Sequence, residues 1–541
     1  MSACCWRLFC LVGVLSACTL VGCQHRDDAA ADAIGLVPES KLGTRIGSVA
    51  NVRMPQPVAV EGYGLVGGLA GTGSGDCPPA VREYLRRYIL IQAPAGGFNV
   101  DKLIDSKDTA VVRLEAAIPA AVLKGERFDV RVYLPAGSEA TSLQGGWLYK
   151  AELMPAGRFG PGGKTLATVE SPVFINTIEV SKPDLREGYV LGGGRAANDY
   201  RGALTLRKAD YLVTNSIRNR LNERYGPGTA DALSPAVIGL RIPAKYRQRR
   251  LRFVSMVALT YLEQTQELIE ARVNRLVYQL AGSEKKEDSE IALEAIGRES
   301  LAKVATLLNA SEEEVRLRAA RCMLNLDDDR GFGTLRDIAL DPKSQRRLEA
   351  LDALVVGAQR NDAAALAQRL LRDGDPAIVL GAYERLREMN DPAIMQERVG
   401  DSFYLEQVPQ TDRKAIYVSR SGDPRVVLFG APLTCHRNLF VESPDGMVIV
   451  NSQAGQEQVS LIRRHPTRPG LVGPLNTSFD LADIIRTLGT EPGTAKDGSV
   501  AGLSVPYSDV IVLMQRLSAK GAVAAQFWAG PLPKSGLIIK K

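Results

Sequence analysis

An internal repeat between residues 285 and 400 constrains the fold of this chain more than any other feature. The segments Arg316–Leu324, Arg347–Val355 and Val379–Leu386 carry leucine and alanine at matching positions, 31 and 32 residues apart. Asp, Pro and Gly residues separate these apolar segments. Helices that recur at such a period bury their apolar faces only against one another. The period therefore predicts an all-α solenoid with a surface suited to binding protein.

The regions on both sides of the repeat have the patterns of mixed structure. Apolar residues alternate with polar or small ones over 112–118 and 128–134, which is the period of half-buried strands. Apolar residues at helical spacing predict helices near 80–92, 210–225, 481–489 and 506–521. The predicted fold class is α+β, in which β-rich domains are interrupted by the all-α solenoid.

The N-terminus has the pattern of an exported protein. The apolar run Leu8–Leu20 follows Arg7 and is too short to span a bilayer comfortably, as in a secretory signal. Leu20–Cys23 resembles a bacterial lipobox, which makes Cys23 the predicted lipidation site. Leu15–Cys18 fits the same pattern, so Cys18 remains the alternative, and an ordinary cleaved signal is the competing interpretation. Acyl chains on this cysteine would hold the protein on a membrane surface.

The chain of 541 residues is long enough for about three or four domains. The predicted order is a lipoprotein signal peptide (1–22), a tether (23–42), a β-rich domain (43–178), the first part of a second domain (179–284), helical repeats (285–400) and a C-terminal α+β part (401–541). The last part is expected to complete the second domain. This organisation places the repeats as an insertion.

The stretch Gly62–Gly67 has the glycine spacing of a dinucleotide-binding loop. Such a loop needs a helix to begin at its third glycine, where the amides hold the pyrophosphate. Here Gly67 is followed by Gly68, Gly71 and Gly73, which disfavour a helix, and no lysine completes a Walker loop. The pattern indicates tight turns and close backbone approach between packed chains, and we expect no cofactor.

No catalytic or metal-binding constellation is predicted. The adjacent pair Cys435–His436 would face opposite ways on a strand, and His25 and His465 have no partners in the sequence. Asp327–Asp329 lacks the glutamate that a calcium loop requires. Cys77, Cys322 and Cys435 are too widely spaced to define a disulfide framework, although one pair could form in an oxidising compartment. A hydrolase is therefore a weak interpretation, and we expect a protein that is not an enzyme.

The charge pattern gives no indication of nucleic acid binding. The net charge of +6 is small for this length. Lys245–Arg252 is the densest basic run, and we interpret it as a solvated strand. Binding to anionic envelope polymers or lipid headgroups is the alternative.

Several motifs resemble those of one family. Gly62–Val66 followed by Gly68–Gly73 is similar to the signature near the N-terminus of flagellar basal-body P-ring proteins. The likeness continues at Ala116–Pro119, Lys124–Val130, Ser142–Leu148, 210–230 and 479–528. Together these segments cover about 45–280 and 420–530. The repeat block over 285–400, which is similar to HEAT-like repeats, and the lipobox both depart from the family pattern.

The resemblance implies a structural subunit without catalytic, cofactor-binding or metal-binding residues. Copies would assemble as a ring around the flagellar rod in the periplasm, next to L-ring proteins and peptidoglycan, with a lipid tether to the outer membrane. The candidate assembly motif consists of Gly62, Tyr63, Gly64, Gly68, Gly71 and Gly73. The rival hypothesis is a lipid-anchored envelope scaffold that binds protein through its HEAT-like repeats, without a flagellum.

Overall fold

The computed structural model describes residues 36–92, 99–158, 160, 163–178, 183–464, 474–493 and 502–533. The predictions for Cys18, Cys23, His25 and His465 fall outside these residues. The chain divides into two compact units. The first contains the residues up to Pro55, Arg201–Leu370 and Pro376–Arg385, and the second contains Gln56–Tyr200, Leu371–Asp375 and the residues from Leu386 onward.

Strands and helices are both abundant in the described residues. The strands are β1 Ala50–Val52, β2 Val58–Gly67, β3 Thr109–Ile118, β4 Arg127–Tyr133, β5 Trp147–Pro155, β6 Ala167–Pro172, β7 Glu187–Ala196, β8 Gly202–Leu206, β9 Ala230–Ser234, β10 Val237–Leu240, β11 Met395–Val399, β12 Phe403–Val408, β13 Ala415–Val418, β14 Arg425–Phe429, β15 Leu439–Glu442, β16 Val448–Ser452, β17 Val459–Arg463, β18 Leu475–Thr477 and β19 Gln526–Ala529. The α-helices are α1 Ile46–Val49, α2 Pro79–Gln92, α3 Val100–Ile104, α4 Tyr211–Tyr225, α5 Arg250–Leu259, α6 Gln266–Gly282, α7 Lys286–Ile296, α8 Leu301–Val304, α9 Glu313–Asn325, α10 Arg330–Leu340, α11 Arg347–Gly357, α12 Arg360–Leu370, α13 Pro376–Glu388, α14 Leu481–Gly489 and α15 Tyr507–Ala519. The predicted α+β class is confirmed.

The first unit contains an antiparallel sheet in the order β1-β8-β10-β9, covered by α4 and α5. Helix α4 begins after Asp210, whose carboxylate accepts hydrogen bonds from the amides of residues 212 and 213, and ends at Gly226, where φ is +105°. The helix therefore occupies the range for which the sequence predicts it, and a side-chain cap and a glycine bound its two ends. Ile217 and Leu221 on α4 are fully buried against the sheet, so the helix contributes to a single core with it.

A helical block, α6 to α13, follows the sheet in the chain. Its core lies between α6, α7 and α9, and contains Val273, Leu276, Leu293 and Met323. Polar side chains connect positions that are about one repeat apart, as in the hydrogen bond from Asn325 Nδ2 to Glu294 Oε2 at 3.0 Å. This bond joins α9 to α7, between positions that are 31 residues apart in the chain.

The second unit contains a closed barrel in the strand order β2-β3-β4-β7-β6-β5. Alternate residues of each strand point inward, as the period of two requires. The barrel core includes Leu114, Val130, Val132 and Leu148, all fully buried. Helices α2 and α3 cover the outside of β2 and β3 through a second apolar cluster that includes Leu65 and Leu85.

The C-terminal part of the chain shares a core with the barrel. Its five-stranded sheet, β11-β12-β14-β13-β19, packs with α14 and α15 around a cluster that also contains Phe174 and Leu191 of the barrel region. The ring of Tyr507 lies 6.0 Å from that of Phe174 and 5.4 Å from that of Phe403. Residues 401–541 therefore belong to the unit of 56–200, which differs from the expectation that they complete the domain begun at 179.

The basic run Lys245–Arg252 is not a strand, and that prediction was wrong. Residues Ala244–Arg249 form a 3-10 helix that leads into α5. Tyr246 packs against Tyr225 and Phe253, with ring centroids 5.7 and 4.9 Å apart. Packing of aromatic rings from three segments of the chain stabilises this conformation. A pattern read over a few consecutive residues does not show such packing.

In the described residues, no helix is long and apolar enough to cross a membrane.

Candidate functional site

The first half of the glycine motif lies within strand β2 of the barrel. A Cβ atom at Gly62 would lie 2.3 Å from the carbonyl oxygen of Glu152, and one at Gly64 would lie 2.9 Å from Cδ1 of Leu148. Both contacts are to β5, the neighbouring strand. These glycines therefore allow β2 and β5 to approach within one chain, whereas the sequence indicated close approach between chains.

The second half of the motif forms the turn that follows β2. Gly68 and Gly71 have φ angles of +81° and +91°, which favour glycine. A Cβ at Gly73 would lie 2.0 Å from the carbonyl oxygen of Thr109, at the start of β3. Gly67, the third glycine of the apparent dinucleotide spacing, ends a strand and does not begin a helix. The motif thus has the geometry of a barrel corner.

The outward side of the same strand forms the floor of an apolar groove, the α2 groove. It has a volume of about 450 Å³ and lies between β2, β5 and α2. Tyr63 belongs to the floor, whereas Leu85, Tyr88 and Tyr149 form the walls. Lys150 and Glu170 also line the groove. The motif predicted for assembly therefore contributes directly to a surface depression.

The phenol of Tyr88 is a buried polar group in the lining of the α2 groove. Its hydroxyl oxygen is buried and has no hydrogen-bond partner among the described residues. Burial, followed by the charges of Glu152 and Glu170, raises its pKa to about 12. The group therefore stays neutral and can donate a hydrogen bond. Ile91, three residues further along α2, is two-thirds exposed.

Two buried arginines of α6 bind the backbone of the N-terminal segment, which we term the strap (residues 36–45). Arg272 Nε donates to the carbonyl oxygen of Leu42 at 2.6 Å, and Arg275 Nη1 donates to that of Val37 at 3.2 Å. The guanidinium of Arg272 also lies 4.1 Å from the ring centroid of Tyr261. Leu42 is almost completely buried. These contacts fix the strap to helix α6 of the first unit.

The helical block contains a buried ionic network centred on Glu290 and Glu294. Both carboxylates are fully buried. Glu290 accepts hydrogen bonds from Arg252, Arg318 and Arg321, with N–O distances of 2.6 to 3.1 Å. Burial raises the pKa of Glu290, but the three guanidinium groups outweigh it and hold that pKa below its usual value. The network joins α5, α7 and α9.

The environment of Asp509, in the C-terminal part, strongly opposes ionisation. This residue lies in the first turn of α15 and accepts a hydrogen bond from Gln144 Nε2 at 3.1 Å. Burial, followed by the charge of Asp445, raises its pKa to about 6. A raised carboxylate pKa means that ionisation costs stability, so the folded state should lose stability as the pH rises from about 4 to 6.

The substitution Asp509→Asn should therefore stabilise the protein at alkaline pH. We expect a gain of about 1–2 kcal/mol in the free energy of unfolding at pH 8, and no gain near pH 4. Urea denaturation at both pH values measures this difference. Asp483→Asn is the matched control, because Asp483 lies in the first turn of α14, is 42% exposed and pairs with Arg486. An equal gain from both variants would contradict the assignment to burial.

The other residues singled out in the sequence lie apart. Cys435 is buried and His436 is exposed, so their side chains point in different directions. Cys77, Cys322 and Cys435 are free thiols that form no disulfide. Asp328 binds the side chain of Arg330 within an inter-helix turn. Within the described part of the chain, no group of three or more His, Cys, Asp or Glu side chains is arranged to hold a metal ion.

Sequence reasoning missed the α2 groove and the buried arginines of α6. Tyr88 and Tyr149 are far apart in the chain, and no local pattern joins them. Arg272 and Arg275 do carry a signal, because they stand beside Val273 and Leu276 on the apolar face of a helix. A cation at such a position is buried only when it has acceptors.

Comparison with known proteins shows which family part of the chain is similar to. Residues 45–277 match the family model described as FlgI, flagellar P-ring protein. A flagellar P-ring protein of Anaeromyxobacter dehalogenans is 30% identical over 242 residues, which are 41% of this chain and 61% of that protein. One from Thermotoga maritima is 29% identical over 231 residues, or 40% of this chain and 65% of that protein.

The match covers only part of each protein. The chain spans less than two thirds of the length of these relatives. The matched residues include the whole barrel, the sheet of the first unit and most of α6, and they end before the rest of the helical block. The likeness noted for 420–530 lies outside them and stays a prediction.

Proposed function

We propose that this protein is a structural subunit of the flagellar basal-body P ring. The observation that carries the proposal is the continuous match over 45–277, which includes the glycine motif in its barrel setting. In this role copies of the chain assemble as a ring around the rod in the periplasm and support its rotation. The role requires surfaces for assembly and no catalysis.

The proposal extends to the surroundings of the ring. The neighbours would be the rod, L-ring proteins and peptidoglycan. The lipid would be attached at Cys23, with Cys18 as the alternative, and would tether the ring to the outer membrane. Residues 285–400 would be HEAT-like repeats inserted in the family fold, and their hydrogen bonds between positions one repeat apart support this assignment. We propose that these repeats bind a further protein.

Electron microscopy of the protein, purified in mild detergent from its native envelope, tests the assignment. We expect closed rings, alone or on rods, and loss of swimming when the gene is deleted. Restoration of swimming by the intact gene is the control for the deletion. Small oligomers that never accompany basal bodies would contradict the proposal and favour a lipid-anchored scaffold that binds protein without a flagellum.

A further inference from the structure

A short segment that contains two prolines follows the last strand of the second unit. Gly530, directly after β19, is buried. Its amide donates to the carbonyl oxygen of Val418 at 2.8 Å, and its carbonyl oxygen accepts from Arg420 Nε at 2.7 Å. The next residues, Pro531–Pro533, form what we term the proline segment, and the first two of them are exposed. The segment therefore starts from a fixed point of the sheet and presents its side chains to solvent.

The composition of the proline segment restricts its conformation. Each proline ring holds its own φ at about −65°. Leu532 precedes a proline, which confines it to extended conformations. Prolines carry no amide hydrogen, and the amide of Leu532 has no acceptor among the described residues. The segment can therefore offer carbonyl oxygens and one apolar side chain to a partner, and it loses little conformational entropy on binding.

The α2 groove carries the complementary groups. Its lining includes three tyrosines, Tyr63, Tyr88 and Tyr149. The hydroxyl of Tyr149, the amide of Gln92 and the ammonium of Lys150 also belong to the lining, and these three residues are exposed. Within the described part of the chain, none of these three donors has a hydrogen-bond acceptor. Aromatic-lined grooves of this kind bind proline-rich segments in other protein domains.

The charges and the position of the two surfaces point to a second copy. In the sequence the proline segment is followed by Lys534, whose charge is opposite to that of Glu170 in the groove lining. Glu170 forms no ion pair with the other described residues. All residues that line the groove lie between 63 and 170, so the proline segment of the same chain does not occupy it.

We propose that the proline segment of one copy binds in the α2 groove of the next, and that this contact joins neighbouring subunits. The proposal rests on the proposed function, because it names the partner surface of the ring subunit as a second copy. Leu532 would cover the apolar floor, and the carbonyl oxygens of the segment would accept hydrogen bonds from Tyr149 and Gln92. A contact between two different surfaces of the same chain is heterologous, and it closes into a ring when the rotation permits.

Paired cysteine substitutions test the contact. The variant with Ile91→Cys and Pro531→Cys places one thiol on α2 beside the groove and one on the segment, at exposed positions that leave Leu532 intact. A short bis-maleimide added to native envelopes should link it into dimers, trimers and larger species. Each single variant should stay unlinked, because a heterologous contact brings together only unlike surfaces. The Cys77→Ser background removes a partly exposed thiol, and the variant without added cysteines gives the background reaction.

The matched control moves the first thiol to a strand of the same unit. Phe440 on β15 is 52% exposed, and Phe440→Cys combined with Pro531→Cys should give no ladder. Linkage by Pro531→Cys alone would indicate a two-fold contact and overturn the proposal. Rings of the Ile91→Cys and Pro531→Cys variant that give no ladder would also overturn it, while the ring function would stand. Absence of rings from the wild type would instead contradict the proposed function.

A charge on the proline segment gives an independent measurement. Leu532→Asp should reduce the number of rings at least tenfold and leave the melting curve unchanged, because this side chain is exposed and lies outside the helices and strands. Met395→Asp, at a 51% exposed position of the same unit, should leave ring numbers unchanged. Equal loss of rings in both variants, or normal rings in Leu532→Asp, would contradict the contact.

Discussion

The substitution Glu290→Gln will lower the free energy of unfolding of the first unit by about 3–5 kcal/mol, because it removes one charge from a buried ionic network. Gln has nearly the same shape as Glu, so no cavity forms and the effect is electrostatic. The carboxylate is fully buried and accepts hydrogen bonds from Arg252, Arg318 and Arg321. The neutral amide leaves these cations under-compensated in a region of low dielectric constant.

Urea denaturation followed by circular dichroism measures this loss. Glu314→Gln is the matched control, since Glu314 also pairs with two arginines but its side chain is 23% exposed. We expect a loss of less than about 1 kcal/mol there. The lowered pKa of Glu290 adds a pH test: its stabilising effect is present above the unfolded pKa near 4.5 and is lost as the pH falls through the folded value. Equal losses in the two variants would show that burial does not decide the effect.

The second large effect is expected in the barrel, where Gly62→Ala should destabilise the second unit by about 3 kcal/mol. A methyl group at this position would lie 2.3 Å from a backbone carbonyl oxygen of β5. Backbone cannot rotate away as a side chain can, so the paired strands must separate locally. Thermal denaturation of the purified protein measures the change.

The substitution Gly71→Ala separates the steric clash of the added methyl group from the cost of placing alanine in a left-handed backbone conformation. Gly71 has a φ of +91° and nothing within 4 Å of the added methyl group, so only the cost of the left-handed backbone applies. We expect a loss of about 1 kcal/mol. A larger loss at Gly71 than at Gly62 would mean that the motif serves the turn more than the packing of β2 against β5.

Much of the local structure was predictable because local physics decides it. The alternation over 112–118 and 128–134 appears as β3 and β4, and the predicted helix at 210–225 appears as α4, with Asp210 and Gly226 at its ends. These features depend on a period or on a cap within a few residues. The expectation that no helix begins at Gly67 has the same local origin, and Gly67 ends strand β2.

Features that depend on distant partners were not predictable in this way. Lys245–Arg252 is helical because Tyr246 joins an aromatic cluster and Arg249 and Arg252 reach Glu294, which lies more than 40 residues away. The grouping of 401–541 with the barrel depends on one shared core around Tyr507 and Phe174. Sequence periodicity shows that a face is apolar, but it does not show which surface will cover it.

The buried arginines of α6 have a mechanical consequence. Val37 and Leu42 lie at the start of the described residues, and Arg275 and Arg272 hold their backbone, so a force applied along the chain at this point would be borne by α6. If Cys23 carries the acyl chains, Val37 lies 14 residues further along the chain, and a fully extended chain of that length reaches at most about 50 Å. This upper limit would bound the distance between the lipid surface and the point where α6 holds the chain.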